Sequence, residues 1–243
     1  MKVLVCDKTE KECIEQMRAA GLTVDTNFEI TPEDLMTVLP AYDVAVVRSR
    51  TKIRQPLIDV CPNLKLIVRG GVGLDTIDVE YARGKGITVQ NTPLASSDSV
   101  AELAIGYMFM LARSLYKASA TMKAEKWEKK AFEGDEIGGK TLGLIGVGNI
   151  GKAVIKRAVA LGMTVVAYDP YVKEVAGATL VSLDELLAQA DYISLHLPKT
   201  KESANMIGAE QFAKMKTGVR IINCARGGII NEDALYEALT GGK

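Results

Sequence analysis

The chain has 243 residues, of which 48% are hydrophobic and 25% charged, a composition typical of a globular protein. The 30 Lys and Arg residues balance the 30 Asp and Glu residues, so no global charge favours nucleic acid or an anionic membrane as partner. The longest apolar run, 103–112, is too short to span a bilayer, and the N-terminus has no signal-peptide core; we therefore expect a cytoplasmic protein. Four cysteines without CxxC spacing and a single histidine, His196, predict reduced thiols and no metal site.

Short apolar, strand-like runs alternate with helical patterns along the whole chain. Such runs, bounded by Gly, Asp and Pro, are typical of βαβ units around parallel sheets. The runs fall into two series, which predict two α/β domains separated by a long helix. They are Val3–Cys6, Val44–Val47, Leu66–Val68, Leu142–Ile145, Val165–Tyr168, Tyr192–Leu195 and Val219–Asn223.

The long helix is predicted to begin at a capping box formed by Ser99 and Glu102. From Val100 to Leu111 it is apolar on nearly every side. A helix without a polar face must be covered on several sides. Two explanations remain open: the helix lies between domains or subunits, or it is internal to one domain.

A GxGxxG pattern follows the apolar run Leu142–Ile145, with its glycines at Gly146, Gly148 and Gly151. Such glycines permit a tight turn, close approach of a pyrophosphate to the backbone, and close packing of helix on strand. The helix that follows is predicted to bind phosphate at its N-terminus, where unpaired amides and the positive dipole end lie. Its predicted apolar face and C-cap are Ile150, Val154, Ile155, Ala158, Val159 and Gly162.

Asp169 ends the next strand, where a carboxylate can accept hydrogen bonds from the adenosine ribose hydroxyls. The same charge repels a 2′-phosphate, so the sequence favours NAD over NADP. A glycine-rich turn without a ligand is the alternative, but the strand, the helix and the acid all have the expected spacing.

The stretch RIINCARGGIIN places Arg226 directly after a strand and beside two glycines. Arginine rarely enters an interior without a partner, because its charge is costly to desolvate. Arg226 is therefore predicted either to bind an anionic ligand or to pair with a local carboxylate.

Several segments together resemble the D-isomer-specific 2-hydroxyacid dehydrogenases, over nearly the whole chain. They are VVRSRTKI, NLKLIVRGGVGLDTIDVEYARGKGI, NTPLASSDSVAEL, KWEKKAFEGDEIGGKTLGLIGVGNIG, SLHLPKTKES and GVRIINCARGGIINEDAL. The resemblance implies an α/β protein with a small flavodoxin-like substrate domain, residues 1–97. A Rossmann NAD-binding domain follows at 98–243, with a doubly wound parallel sheet that is incomplete at its C-terminus. The family's active site lies in the cleft between such domains, and its nucleotide domain forms the dimer interface.

The resemblance also implies roles for individual residues. Arg226 is the expected catalytic residue, which binds and orients the substrate carboxylate. The expected substrate-binding residues, which include positive charge near a substrate phosphate, are Arg48, Ser49, Arg50, Gly71, Val72, Gly73, Lys129 and Arg226. The expected cofactor-binding residues are Val72, Gly146, Gly148, Asn149, Ile150, Gly151, Asp169, Leu197, Cys224, Ala225 and Arg226.

The family's general acid/base, a histidine oriented by a glutamate, is expected after the CARGG segment, and the sequence ends at Lys243 before the corresponding motifs. His196 is expected to be a cofactor-wall or packing residue instead. The resemblance implies NAD-dependent oxidation of 3-phospho-D-glycerate toward serine by a homodimer or homotetramer. The alternatives are a related enzyme for glycerate, glyoxylate or lactate, or an NAD-sensing binding protein without catalysis.

Overall fold

A computed structural model describes all 243 residues, which divide into two compact units, Met1–Ser96 and Ser97–Lys243. Each unit contains one five-stranded, fully parallel sheet with helices between the strands. The α/β parallel-sheet prediction is therefore confirmed. None of the helices combines the length and the apolarity needed to cross a membrane.

The sheet of the first unit has the strand order β2-β1-β3-β4-β5. The central strands β1 and β3 have the apolar sequences KVLV and VAVV, because parallel strands are covered on both faces. Strands β2 (TVDT) and β5 (TVQN) were not predicted, because they are edge strands and carry polar residues. The elements are β1 (Lys2–Val5), α1 (Lys11–Ala19), β2 (Thr23–Thr26), α2 (Pro32–Val38), β3 (Val44–Val47), α3 (Gln55–Asp59), β4 (Leu66–Arg69), α4 (Val79–Gly84) and β5 (Thr88–Asn91), with a 3-10 helix at Leu39–Ala41.

The sheet of the second unit has the order β10-β9-β6-β7-β8. Four of its strands were predicted; the fifth, β8, has only two residues at the sheet edge, too few for an apolar pattern. The elements are α5 (Ser97–Ala112), α6 (Leu115–Lys123), β6 (Thr141–Ile145), α7 (Asn149–Ala160), β7 (Thr164–Tyr168), β8 (Thr179–Leu180), α8 (Leu183–Gln189), β9 (Tyr192–Leu195), α9 (Ala209–Lys214), β10 (Arg220–Asn223) and α10 (Glu232–Thr240), with a 3-10 helix at Lys129–Phe132.

Helix α5 differs from its prediction at its start and on its surface. It begins at Ser97, so Ser99 lies in the first turn and the predicted capping box is wrong. The carboxylate of Glu102 instead accepts a hydrogen bond from the guanidinium of Arg157 on α7, at 2.9 Å. One face of α5 is buried in the core of the unit, whereas other apolar side chains remain exposed, including Leu103, Tyr107, Phe109, Met110 and Leu111.

Helix α7 also departs from its prediction at one position. Val154, Ile155 and Ala158 are buried as expected, but Val159 is 46% exposed. The helix ends as predicted, because Gly162, just beyond it, has a φ of +77° that favours glycine.

Candidate active site

Apart from Lys129, the functional residues predicted in the second unit follow the carboxyl ends of the strands of its sheet. All five strands are parallel, so their carboxyl ends meet at the same edge. The chain order reverses between β6 and β9, because β7 and β8 lie on one side of β6 and β9 and β10 on the other. Open parallel sheets bind ligands at such a switch point.

Two of the three glycines after β6 are required by the packing of the chain itself, and the third is not. Gly146 has a φ of +95°, and a Cβ there would lie 2.5 Å from the carbonyl oxygen of His196. A Cβ on Gly151 would collide with the carbonyl oxygen of Gly146. Gly148 has an ordinary φ of −71°, and a Cβ there would meet no atom within 4 Å. The chain itself therefore requires glycine at 146 and 151, whereas at 148 the space is open to a ligand.

The N-terminus of α7 points into this open space. Gly148 is the N-cap and provides no side chain to accept from the first amides of the helix. Asn149 is exposed and Ile150 half-buried in this first turn. The outward-directed amides and the positive dipole end of a helix N-terminus suit a phosphate group. The glycine turn and α7 therefore fit the pyrophosphate of a dinucleotide.

Asp169, directly after β7, is joined to the glycine turn by hydrogen bonds. One carboxylate oxygen accepts from the N–H of Val147 at 2.8 Å, and the other accepts from the N–H of Tyr171 at 2.9 Å. A carboxylate oxygen has two lone pairs, so each can accept one more bond. The structure thus brings the predicted ribose-binding acid beside the predicted pyrophosphate turn.

His196 and Leu197, after β9, form the other side of this switch point. Leu197 is half-buried, and a Cβ added to Gly146 would lie 3.2 Å from the Cβ of Leu197. The Nε2 of His196 lies 2.8 Å from the Oγ of Ser194, and its Nδ1 is buried without a hydrogen-bond partner. Burial lowers the pKa of His196 to about 4, so its ring is neutral near pH 7. An imidazole with that pKa is poorly suited to take a proton at neutral pH.

The loop after β10 holds the predicted nicotinamide-side residues. The side chain of Asn223 organises it, accepting from the N–H of Ala225 at 3.0 Å and donating to the carbonyl of Arg226 at 2.9 Å. Arg226 is half-buried, and its guanidinium donates to the carbonyl of Ala225 at 2.9 Å. Burial raises the pKa of the Cys224 thiol, which keeps it protonated near neutral pH. Gly228 has a φ of +76°, which lets the chain turn away after Arg226.

In the first unit, Arg48 follows β3 and Arg69 ends β4, and we call these two arginines the basic cluster. A Cβ on Gly70 would lie 3.3 Å from the Cγ of Arg48, so the stem of Arg48 packs along the glycine segment. The guanidinium of Arg69 lies where a Cβ of Gly71 would be, and it donates to the Oγ of Ser49 at 3.3 Å. The Nε of Arg69 is buried without a hydrogen-bond partner.

Arg69 was not among the predicted site residues, because its position marks it only as the end of a strand. The signal that could have identified it is the sequence Arg69-Gly70-Gly71, which repeats the pattern of Arg226-Gly227-Gly228. Val72 and Gly73 follow in the same segment, and the carbonyl of Val72 accepts from the side chain of Asn91.

Arg50 and Lys129 are placed differently from the basic cluster. The guanidinium of Arg50 pairs with Asp7 at 3.2 Å and donates to the carbonyls of Ile30 at 2.9 Å and Cys6 at 2.6 Å. Each of its three nitrogens therefore already donates one hydrogen bond within the first unit, which restrains the side chain although it is 48% exposed. Lys129 is exposed at the start of the 3-10 helix Lys129–Phe132 of the second unit.

Residues 105–243 match the family model described as D-isomer specific 2-hydroxyacid dehydrogenase, NAD binding domain. The chain belongs to this dehydrogenase family. The family match and the geometry of the glycine turn agree on NAD as the cofactor.

Known proteins match the chain over its full length. A hydroxypyruvate reductase of Thermotoga maritima is 48% identical over all of this chain and 79% of that protein. A D-3-phosphoglycerate dehydrogenase of Archaeoglobus fulgidus is 47% identical over all of this chain, which spans 47% of that longer protein. Among solved structures, the TT0316 protein of Thermus thermophilus superposes with a TM-score of 0.91 at 32% identity, and D-lactate dehydrogenase of Escherichia coli with 0.85 at 29%. In both comparisons all of this chain matches 79% of the solved chain.

Proposed function

We propose that the protein is an NAD-dependent dehydrogenase whose substrate is 3-phospho-D-glycerate, oxidised to 3-phosphohydroxypyruvate as a step toward serine. NAD, when bound, accepts the hydride from the 2-carbon of the acid. The chain's contribution is to bind both molecules and to fix which face of the acid is presented. Such positioning accounts for much of the rate acceleration that a dehydrogenase protein provides.

The glycine turn and Asp169 are proposed to hold the cofactor. The open space at Gly148 and the amides of α7 suit the pyrophosphate, while Asp169 has lone pairs left for the ribose hydroxyls. The buried, unpaired Nδ1 of His196 is a polar atom that a bound dinucleotide or a water could satisfy.

Arg226 is proposed to bind the carboxylate of the acid. Its planar guanidinium can donate two parallel, charge-assisted hydrogen bonds, which fix the orientation of a carboxylate better than a single bond can. One N–H of the group donates to the carbonyl of Ala225, which restrains the guanidinium before a substrate arrives. The rotation of the side chain that would otherwise oppose binding is thereby reduced.

The basic cluster of the first unit is proposed to make the protein prefer a phosphorylated acid. Two guanidinium groups, those of Arg48 and Arg69, occur there with a hydroxyl at Ser49 and a glycine backbone. The buried Nε of Arg69 has no partner, so an anion that reached it would meet an unsatisfied donor. We propose that this cluster binds the phosphate, whereas the resemblance noted in the sequence assigns the positive charge near the phosphate to Arg48, Arg50 and Lys129.

A dehydrogenase for an unphosphorylated acid is the second candidate. It is favoured by the 48% identity to the Thermotoga maritima hydroxypyruvate reductase, of which this chain covers 79%. Initial rates of the full-length gene product with NAD on 3-phospho-D-glycerate, D-glycerate and D-lactate separate the two candidates. Recognition of the phosphate by two arginines should favour the phosphorylated acid in kcat/KM by about 10–100-fold. Equal kcat/KM values would exclude the phosphoglycerate proposal, and NAD binding without turnover of any acid would indicate a sensing protein.

We also propose that the protein is a homodimer assembled through α5 and α6. Leu103, Tyr107 and Leu111 are spaced four residues apart on α5 and are 49%, 39% and 44% exposed, and Tyr116 and Met122 of α6 are 74% and 55% exposed. Exposed apolar side chains grouped on two successive helices are unfavourable in water and favour association. Light scattering should therefore give twice the monomer mass, and L103E together with L111E should give the monomer.

The cytoplasm is the proposed location. All four cysteines are free thiols, whereas disulfides are frequent in proteins of oxidising compartments. Fractionation of cells with an antibody to the protein tests this directly.

A further inference from the structure

Asp7 lies just after β1, and its buried carboxylate holds the loop after β3 by hydrogen bonds. The residue is 4% exposed. Its side chain accepts four hydrogen bonds, and all four donors belong to the segment 48–51 that follows β3. Strands β1 and β3 pair in parallel, so the carboxyl end of one lies beside the carboxyl end of the other.

The four bonds are divided equally between the two oxygens. Oδ2 accepts from the backbone N–H groups of Arg48 and Thr51, the latter at 3.2 Å. Oδ1 accepts from the Oγ1 of Thr51 at 2.8 Å and from the Nε of Arg50 at 3.2 Å. An ionised carboxylate has two accepting oxygens and no hydrogen, and it is the side chain that satisfies four donors in this arrangement. An asparagine would turn an NH2 group toward two of them.

The side chains of this loop are restrained to different degrees. The guanidinium of Arg50 is held on Asp7 and on two backbone carbonyls. Arg48 and Ser49 are exposed; Arg48 donates one side-chain hydrogen bond, to the carbonyl of Lys8 at 3.2 Å, and Ser49 lies within hydrogen-bond distance of Arg69. The backbone N–H of Arg48 is itself tied to Asp7, so the start of its side chain is fixed relative to β1.

We infer that Asp7 is a positioning residue for the acid substrate: it fixes the segment 48–51 and so sets how Arg48 and Ser49 are presented to the phosphate. Asp7 does not contact the substrate itself. The inference rests on the proposed function, because it assigns a consequence for substrate binding to the conformation of the loop. A charge held by a fixed backbone loses less conformational freedom on binding than one on a mobile loop.

The test compares Asp7→Asn with the wild-type protein by steady-state kinetics and by hydrogen exchange of the 48–51 segment. The variant should raise the KM for 3-phospho-D-glycerate about tenfold or more, with kcat and the KM for NAD within about twofold, because ground-state binding is lost. Amide exchange at Arg48 and Thr51 should become faster, since both N–H groups lose their acceptor.

Asp43→Asn is the matched control. Asp43 lies just before β3 and accepts from the backbone N–H of Lys2 at 2.8 Å and from Lys65 at 2.9 Å, so it is also a structural carboxylate of this sheet, at its opposite edge. It should lower stability without changing the KM for the acid. Thr51→Val, which removes one donor to Asp7, is the milder variant to use if Asp7→Asn does not fold, and Thr51→Ser should behave as wild type.

Each outcome decides a separate point. Faster exchange in the 48–51 segment with an unchanged KM for the acid would overturn the inference, as would unchanged exchange. An equal rise in KM for Asp7→Asn and Asp43→Asn would show a general structural effect and overturn it too. If the wild-type protein turns over no 2-hydroxy acid, the proposed function fails, while the exchange comparison still shows whether Asp7 fixes the loop.

Discussion

The carboxylate of Asp169 accepts a hydrogen bond from the backbone N–H of Val147 at 2.8 Å, so the acid after β7 and the glycine turn after β6 are joined directly. Strands β6 and β7 are paired neighbours in the sheet, which brings the two segments together. A displacement of the carboxylate therefore displaces the turn. The ribose and pyrophosphate contacts of the cofactor are expected to depend on each other for this reason.

Asp169→Asn should weaken NAD binding. The amide keeps one accepting oxygen but loses the charge and one acceptor. Hydrogen bonds to a charged group contribute about 1.5–3 kcal/mol, so the dissociation constant should rise about 10–100-fold. Isothermal titration calorimetry measures this directly. Asp184→Asn is the control, because Asp184 forms a surface pair with Lys214 at 2.7 Å. Equal affinities of the two variants would contradict the role of Asp169.

Gly148→Ala and Gly151→Ala should have opposite consequences. A Cβ at 148 meets no atom of the chain within 4 Å, so the free energy of unfolding should stay the same or rise by about 0.4–1 kcal/mol. The same methyl group would enter the space proposed for the pyrophosphate, so NAD affinity should fall. A Cβ at 151 collides with the backbone oxygen of Gly146, so this variant should lose about 1–3 kcal/mol of stability.

Urea unfolding with and without NAD separates the two effects. The expected pattern is a Gly148→Ala protein that is stable but gains little from added NAD, because a ligand stabilises only the state that it binds. A Gly148→Ala protein with wild-type stabilisation by NAD would show that the open space is not used by the cofactor.

The central strands and the nucleotide turn could be predicted from the sequence because both leave local patterns. Continuous apolar runs identify strands that are covered on two faces, and the glycine spacing identifies the turn. The edge strands β2, β5 and β8 were missed, since an edge strand is short or half-exposed and has no such run. The start of α5 was misplaced because Ser96, which precedes the helix, and Ser99 are both acceptable N-cap residues by type.

Arg226→Gln should lower kcat/KM for the acid far more than it lowers the affinity for NAD. The neutral amide has a similar reach but cannot form two charge-assisted bonds with a carboxylate, so the loss should be about 100–1000-fold, or roughly 3–4 kcal/mol. Arg157→Gln is the control, because Arg157 pairs with Asp98 and Glu102 on the surface of the same unit. If Arg226→Gln kept wild-type kcat/KM, Arg226 would be a structural residue.

Arg48→Ala and Arg50→Ala should separate substrate binding from stability. Arg50 is paired with the buried Asp7, so its removal should cost about 1–3 kcal/mol of unfolding free energy. Arg48 is exposed, so its removal should raise the KM for the phosphorylated acid with little effect on stability. Parallel urea melts and initial rates give both quantities, and the reverse pattern would restore the substrate-binding role that the sequence suggested for Arg50.

The roles of Arg50 and Arg69 could not be separated by sequence alone. Both are arginines near the end of a strand, and the difference lies in their partners. Arg50 meets a carboxylate that is 43 residues away in the chain, whereas Arg69 has a buried nitrogen without a partner. Contacts of this sequence separation leave no local pattern, so only the folded structure identifies which cation is already neutralised.

His196 predicts a pH dependence of stability whose sign follows from its burial. Burial lowers its pKa from 6.5 to about 4, so the unfolded chain binds a proton between these values and the folded protein does not. The free energy of unfolding should therefore fall as the pH falls from about 6.5 to about 4. The contribution of this one residue is at most about 3 kcal/mol, and it is absent above pH 6.5.

His196→Gln can keep the hydrogen bond to Ser194 but does not titrate. Urea unfolding at pH 7 and pH 4.5 should show a smaller loss of stability on acidification for the variant than for the wild type, because the carboxylates contribute equally to both. An identical loss would mean that His196 accepts a proton in the folded state as readily as in the unfolded chain.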